Sequence, residues 1–221
     1  MNSEASIGRL LSVHVGRVAP LGPQGVASAF VKSAVEGAVA VNALSLEGDE
    51  QADLSVHGGP DKAVYAYAQA NYDLWRADFP DIAGKFAAGS VGENLAIDNM
   101  SEADLCVGDV HEIGSALLQI CQPRQPCFKF ALRFEDPRLP GAMTRNGRSG
   151  WYYRVIREGE LRAGDTVRLH ARPNPDFPFA RLVEIIARRN ATPEETRRLA
   201  GMEGLAEQWR AHFSAKADQK S

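Results

Sequence analysis

Between about residues 7 and 172, the chain alternates short apolar runs with Gly, Pro, Asn and Asp at close spacing. Short runs rich in Val, Ile, Tyr and Trp between turn residues are typical of half-buried strands. We predict eight strands, over residues 10–18, 38–44, 63–67, 94–97, 110–113, 116–122, 151–156 and 166–172. Because eight short strands are enough to close a sheet on itself, the pattern predicts a mainly β protein built on a β-barrel.

Helical periodicity interrupts the strands at a few places. Tyr72, Trp75 and Phe79 recur at helical spacing, which predicts a helix over residues 69–79 with these aromatic rings in the core. Further short helices are expected after Pro126 or Pro137. The barrel is therefore expected to carry a few short helices between its strands.

Three prolines within residues 172–178 mark a linker, because proline cannot continue a helix or an interior strand. We place a boundary there, between a barrel domain of residues 1–172 and a C-terminal domain of residues 173–221. Three short helices are expected in this tail: at 182–189, from Thr192 onward, and at 203–217. Thr192 precedes a proline and two glutamates, as at a capped helix start.

The charge balance is close to even, with 25 Lys and Arg against 28 Asp and Glu and a formal charge of −3. This balance argues against general binding to nucleic acid polymers or to membrane surfaces. The chain contains no run of 18 apolar residues, and charged side chains interrupt its first residues. We therefore expect a cytoplasmic protein. Edge strands and the helical tail leave room for a homodimer without requiring one.

The three cysteines are an odd number in such a chain, which favours free thiols over disulfides. Cys106 and Cys121 lie in apolar stretches and are expected to be packing residues. Cys127 instead ends a segment stiffened by two prolines. Residues 122–157 carry eight Lys and Arg against two acids, and cations stabilise a thiolate. Cys127 is therefore the candidate nucleophile or soft-metal ligand, with Arg124 as a nearby cation.

A turn-forming sequence, His57-Gly-Gly-Pro-Asp-Lys62, is the second candidate for chemistry. Gly58 and Gly59 allow backbone N–H groups to approach a ligand closely. His57, Asp61 and Lys62 add a donor or base, an acceptor and a cation. The same sequence is also typical of an ordinary turn, and both interpretations stay open.

Two weaker candidates are the turns at Gly92-Glu-Asn and Asn146-Gly-Arg. The first could direct the carboxylate of Glu93 and the amide of Asn94 into a site. The second places Arg148 just before a strand, as a solvated charge or an anion-binding group.

Several common motifs are missing from the sequence. It contains no P-loop, no G-x-G-x-x-G, no H-E-x-x-H and no pair of C-x-x-C motifs. A P-loop phosphate site, a dinucleotide fold and a conventional zinc site are therefore disfavoured.

Five motifs occur in a fixed order: Glu47-Gly-Asp-Glu-Gln, Val56-His-Gly-Gly-Pro-Asp-Lys, Gly92-Glu-Asn-Leu, Gly108-Asp and Gln122-Pro-Arg-Gln-Pro-Cys. Together they resemble a MOSC domain of the YiiM type over roughly residues 12–172, and the helical tail is similar as well. The name refers to the C-terminal domain of molybdenum cofactor sulfurases. The resemblance implies a β-barrel related to the barrel domain of pyruvate kinase.

The resemblance further implies that the chain binds a molybdenum–pterin cofactor. Cys127 would be the thiolate ligand of the metal or a carrier of sulfane sulfur. The implied activity is reduction of N-hydroxylated compounds such as hydroxylaminopurines and amidoximes, with His57 or Asp61 supplying a proton. The expected cofactor-binding residues are Gly58, Gly59, Lys62, Glu93, Asn94, Arg124 and Arg148.

Electrons for such a reaction would come from a separate reductase, since the sequence has no flavin, nicotinamide or iron–sulfur motif. Three alternatives stay open at this point. The chain could carry sulfur on Cys127, bind the cofactor without turnover, or act as a hydrolase through Cys127, His57 and Asp61.

Overall fold

The computed structural model describes residues 6–53 and 58–218 of the chain. Its strands are β1 (Ser6–Val15), β2 (Ala19–Leu21), β3 (Val26–Ser28), β4 (Ser33–Val35), β5 (Val39–Asn42), β6 (Ser45–Leu46), β7 (Val64–Ala68), β8 (Leu95–Asp98), β9 (Val110–Ile113), β10 (Ala116–Pro123), β11 (Trp151–Arg157), β12 (Gly159–Leu161) and β13 (Thr166–Ala171). Its α-helices are α1 (Ala70–Asp78), α2 (Phe128–Phe134), α3 (Arg138–Asn146), α4 (Phe179–Arg188), α5 (Pro193–Ala200) and α6 (Glu207–Asp218). Two 3₁₀ turns cover Pro60–Lys62 and Pro80–Lys85.

Seven strands close into a mixed barrel in the order β13-β9-β10-β11-β7-β8-β1, with β1 pairing back to β13. The β7–β8 pair is parallel and the other pairs are antiparallel. Strand β4 extends the sheet beside β1. The predicted β-barrel is thereby confirmed.

One predicted strand does not belong to the barrel. Residues 38–44 contain β5, which pairs with β6 and β12 in a separate three-stranded sheet. Val39 and Val41 are buried in alternation, as in a barrel strand. An alternating pattern shows that one face of a strand is buried, but it does not show which strand pairs with it. The prediction of eight barrel strands is therefore wrong by one, and the barrel has seven.

The predicted helices are present, at α1 and on both sides of Pro137. The Tyr72 and Trp75 side chains are buried in an aromatic cluster between α1 and α2, as expected. In the tail, Thr192 caps α5, where its hydroxyl accepts from the Glu195 N–H (3.1 Å) and the Glu195 carboxylate accepts from the Thr192 N–H (2.8 Å).

The tail helices pack onto the barrel. Phe179, Leu182 and Phe213 belong to the same apolar cluster as Leu10 and Ile120 of the barrel. The division into two domains therefore stays a prediction. No helix among the described residues is long and apolar enough to cross a membrane.

Inside the barrel, strand β9 carries a fully buried imidazole. The Nδ1 atom of His111 pairs with the Tyr153 hydroxyl at 2.7 Å, while its buried Nε2 atom has no hydrogen-bond partner among the described residues. Burial first, and the Arg172 guanidinium second, lower the pKa of His111 to about 3. The folded protein thus holds this imidazole neutral.

We expect His111 to make the fold sensitive to acid. Below pH ~6.5 the unfolded chain binds a proton here that the folded chain excludes until about pH 3, so stability falls as the pH drops between these values. The loss is ~1.4 kcal/mol per pH unit, or about 2 kcal/mol at pH 5. Urea unfolding at pH 7.5 and pH 5 measures this loss, which His111→Gln should reduce. The control His170→Gln removes an exposed imidazole and should keep the wild-type loss. An equal pH effect in both variants would contradict the assignment.

Candidate functional site

An open cavity of about 590 Å³ lies beside the end of β10. Its wall comes from segments that are far apart in the chain: residues 28–30, 49–52 and 122–129, together with Lys32, Gly58, Lys62, Tyr65, Gly92, Asn94, Tyr152 and Gln208. A volume of this size is typical of a small-molecule or cofactor site.

Cys127 lies on this wall, half-buried, in extended backbone directly before α2. Strand β10 ends at Pro123, so the proline-containing segment carries the thiol from the barrel to the cavity. Cys106 and Cys121 are buried, and burial raises the pKa of both thiols. The Cys121 thiol donates to the Asp61 carbonyl at 3.1 Å. Of the three thiols, Cys127 is the one on the cavity wall.

Arg124 is buried in the same segment. Its guanidinium donates to the Val91 carbonyl and lies 4.8 Å from the ring centroids of both Phe30 and Tyr65. No carboxylate among the described residues pairs with this guanidinium, and the two aromatic faces attract its charge instead. Arg124 therefore brings a fixed positive charge to the wall, where it was expected.

A second cation, Lys32, forms a buried ion pair with Asp49, and their side chains are 7% and 3% exposed. The Asp49 carboxylate also accepts from the Gly16 N–H (2.7 Å) and from the Asn94 amide (2.9 Å). Burial lowers the pKa of Lys32, and the attraction of Asp49 opposes that shift. The wall thus carries a buried ion pair, with both Lys32 and its counter-ion Asp49 among the lining residues.

Asn94 holds the two sides of the cavity together. Its amide nitrogen donates to Asp49 and to the His14 carbonyl (3.1 Å), and its amide oxygen accepts from the Tyr65 N–H (3.0 Å). Asn94 lines the cavity, as expected, but its hydrogen-bonding groups hold protein atoms. It positions neighbouring groups on the wall.

The diglycine bend is only partly on the wall. Gly58 and Lys62 line the cavity, whereas Gly59 does not. Both glycines have positive φ, of 104° and 81°, a conformation that glycine adopts most readily. Burial lowers the pKa of Lys62, while Cys121 and Asp61 oppose the shift. His57 lies outside the described residues.

Asp61 is not among the residues that line the cavity. Its Oδ1 atom accepts from the Arg154 guanidinium (2.7 Å to Nε), and its Oδ2 atom accepts from the Glu207 N–H at 2.8 Å. The Asp61 carboxylate therefore anchors β11 and the start of α6 to the turn. This arrangement does not support proton transfer by Asp61.

Glu93 and Arg148 are not part of the cavity wall. Glu93 is fully buried and accepts from the Tyr72 hydroxyl, the Gly89 N–H and the Val91 N–H (3.1 Å), and burial raises the pKa of its carboxyl group. Because the Val91 carbonyl holds Arg124, Glu93 supports that cation indirectly. Arg148 pairs with Asp78 at 2.6 Å and lies over the Trp75 ring. The contacts of Glu93 and Arg148 are therefore with other protein groups and stabilise the fold around the cavity.

The excess of cations in residues 122–157 does not form one patch. Arg124 and Lys129 reach the cavity, whereas four others pair with carboxylates elsewhere, in the pairs Arg138–Asp136, Arg148–Asp78, Arg154–Asp61 and Arg157–Glu112. The other cations of the wall, Lys32 and Lys62, come from distant parts of the sequence. Folding therefore assembles the positive lining from several segments.

Sequence reasoning missed several wall residues. Phe30, Lys32, Tyr65, Gln122, Tyr152 and Gln208 were not expected there. Tyr65 and Tyr152 form a ring pair with centroids 5.1 Å apart, and the Phe128 side chain next to the thiol is 60% exposed. Gln122 and Asp49 each lie in one of the five ordered motifs, and this position in the sequence could have marked them as wall residues. Nothing local marks Lys32 or Gln208.

The residues present fit an anionic, partly planar ligand that brings a soft metal. Aromatic rings, cations and the Cys127 thiol all lie on the same wall. Within the part of the chain that the structure describes, no group of three or more His, Cys, Asp or Glu residues could hold a metal ion. A metal at Cys127 would therefore need to bring most of its ligands with it.

Comparison with known proteins identifies the class of this fold and site. The MOSC domain model matches residues 53–168. The chain is 35% identical to protein YiiM of Escherichia coli over 199 residues, which cover 90% of this chain and 88% of that protein. The chain therefore belongs to the MOSC domain family.

Two further relatives add detail. The crystal structure of YiiM from Geobacillus stearothermophilus superposes with a TM-score of 0.79 at 30% identity, covering 95% of this chain and 99% of that one. A protein of Gibberella moniliformis named "Reductase" is 38% identical over 188 residues. The match spans 84% of this chain but only 33% of the fungal protein.

We expect the Lys32–Asp49 pair to be needed for folding. Asp49→Asn leaves the buried ammonium without its counter-ion and should cost about 3–5 kcal/mol of unfolding free energy, measured by urea titration. Adding Lys32→Met should recover most of the loss, because the stranded charge is then gone. As a matched control, Asp73→Asn breaks the exposed pair with Arg76 and should cost less than about 1 kcal/mol. Equal costs for the two Asp→Asn variants would contradict this assignment.

Proposed function

We propose that this chain is a molybdenum cofactor-dependent oxidoreductase that reduces N-hydroxylated compounds, of the hydroxylaminopurine or amidoxime type. The observation that carries the proposal is the position of Cys127, whose thiol shares one cavity wall with Lys32, Lys62 and Arg124. Membership of the MOSC family and the reductase name of the fungal relative support it.

The wall residues have suitable chemistry for each part of a molybdenum–pterin cofactor. Cys127 would hold the metal, since a thiolate is a soft ligand. Arg124 and Lys32 would hold the phosphate. The rings of Tyr65 and Tyr152 and the backbone at Gly58 would face the planar pterin. When bound, the cofactor supplies two-electron oxygen-atom transfer.

The protein's own part in the reaction is to position groups and to move protons. Reduction of an N–OH group to N–H consumes two electrons and two protons and releases water. Lys62 lies on the wall with a lowered pKa, so its ammonium releases a proton more readily than an ordinary lysine. His57, next to Gly58 in the chain, is the other proposed proton donor. Asp61 is left out because its carboxylate already pairs with Arg154.

Electrons are proposed to come from a separate reductase. The sequence lacks a flavin or nicotinamide motif, so the chain needs a donor. The fungal relative supports this partner, because the matched region covers a third of a longer protein that is itself named a reductase.

Molybdenum content and activity together test the proposal. Protein made in a cofactor-competent host should contain molybdenum and reduce a hydroxylamine or an amidoxime with an artificial reductant. Cys127→Ser should lose at least about 100-fold in activity, because it removes the thiolate ligand that the proposal assigns to the metal. The matched control is Cys106→Ser, which changes a buried thiol away from the cavity and should keep both properties.

Other outcomes would contradict the proposal. Undiminished turnover in Cys127→Ser would remove the thiolate-ligand role. Absence of metal together with added sulfur on Cys127, measured by mass spectrometry, would indicate a sulfur carrier. A protein that is loaded with molybdenum but inert toward these substrates would indicate a cofactor-binding module.

A further inference from the structure

The first turn of α6 reaches the cavity, although it lies beyond the residues that match the family model. Two backbone hydrogen bonds fix this turn. The Ala206 N–H donates to the Cys121 carbonyl at 2.9 Å, and the Glu207 N–H donates to the Asp61 carboxylate at 2.8 Å. The tail helix is thus tied to both the strand that leads to Cys127 and the turn that carries Lys62.

A buried glutamine completes the attachment. The Gln122 amide oxygen accepts from Gln208 Nε2 and from Trp209 Nε1 (3.2 Å), and its amide nitrogen donates to the Asp61 carbonyl at 2.7 Å. Gln122 is 2% exposed, so bulk water cannot replace a hydrogen bond lost from its amide oxygen. The hydrogen bond from Gln208 Nε2 therefore holds the Gln208 side chain at the wall.

Gln208 is an exposed residue of α6, but its side-chain amide has a fixed partner on the cavity wall. Its side chain lines the same cavity as Cys127, and its amide is tethered to the segment that carries Cys127. A long side chain held in this way occupies space that a shorter one would leave to a ligand.

We propose that Gln208 is a specificity-determining residue, through which the C-terminal helix limits the width of ligands that reach Cys127. The proposal deepens the proposed function and rests on it for the kind of ligand selected, namely N-hydroxylated compounds of different ring size. A narrower wall accepts small substrates and discriminates against broad ones, and pocket size alone changes such ratios by roughly 10-fold or more.

Alkylation of Cys127 measures access without metal or turnover. The purified full chain is treated with iodoacetamide, which is small, and with fluorescein maleimide, which is broad, and mass spectrometry locates the adducts. Gln208→Ala should raise the ratio of broad to small reagent rates about 10-fold, and Gln208→Trp should lower it by a similar factor. The matched control Glu207→Ala changes the neighbouring exposed residue, whose side chain pairs with Arg210, and should leave the ratio within about twofold.

An unchanged ratio in both Gln208 variants would overturn the inference, as would an equal effect of Glu207→Ala. In the active protein, Gln208→Ala should lower KM for broad heteroaromatic hydroxylamines more than for small ones, with kcat little changed. A changed labelling ratio in a chain that binds no molybdenum would keep Gln208 as the access residue and would refute the proposed cofactor. The two proposals therefore fail separately.

Discussion

The buried carboxylate of Asp49 is the interaction on which the cavity depends. It accepts hydrogen bonds from the Gly16 N–H and from the Asn94 amide and carries the charge that balances Lys32. Asn94 in turn holds the backbone of Tyr65, which follows the turn of Lys62. A single carboxylate thus joins the end of β1, the segment before β4 and the start of β8. Desolvating an ammonium is costly, so the cation stays at the wall only because this network compensates for its burial.

A second buried polar residue organises the opposite side. Gln122 joins the cysteine segment, the Pro60–Lys62 turn and the first turn of α6 through its amide group. Asp49 and Gln122 both line the cavity, and both use nearly all of their polar atoms on protein partners. The wall is therefore rigid where it holds charge, which suits a site that must orient a ligand before any reaction.

Features that depend on neighbouring residues in the sequence could be predicted, whereas features that depend on tertiary contacts could not. Strand and helix positions follow from local periodicity, and seven of the eight predicted strands do form the barrel. The prediction that residues 38–44 form a barrel strand was wrong, because the same alternation of buried residues suits a strand of a small separate sheet. Five residues proposed from short motifs line the cavity: Cys127, Arg124, Asn94, Gly58 and Lys62. Lys32 and Gln208 were not proposed, because only tertiary pairing brings them to the wall. Arg148 and Asp61 were proposed as site residues from their types and motifs, but both form ion pairs and neither lines the cavity.

The pairing of β1 with β13 determines when the barrel can close during synthesis of the chain. Strand β1 closes the barrel only by pairing with β13, which is synthesised much later. The cavity wall is complete only when α6 has followed. Residues up to Gln208 must therefore have left the ribosome before the Cys127 thiol acquires all of its surroundings. The complete cavity is consequently available to a ligand only after all of its wall segments have been synthesised.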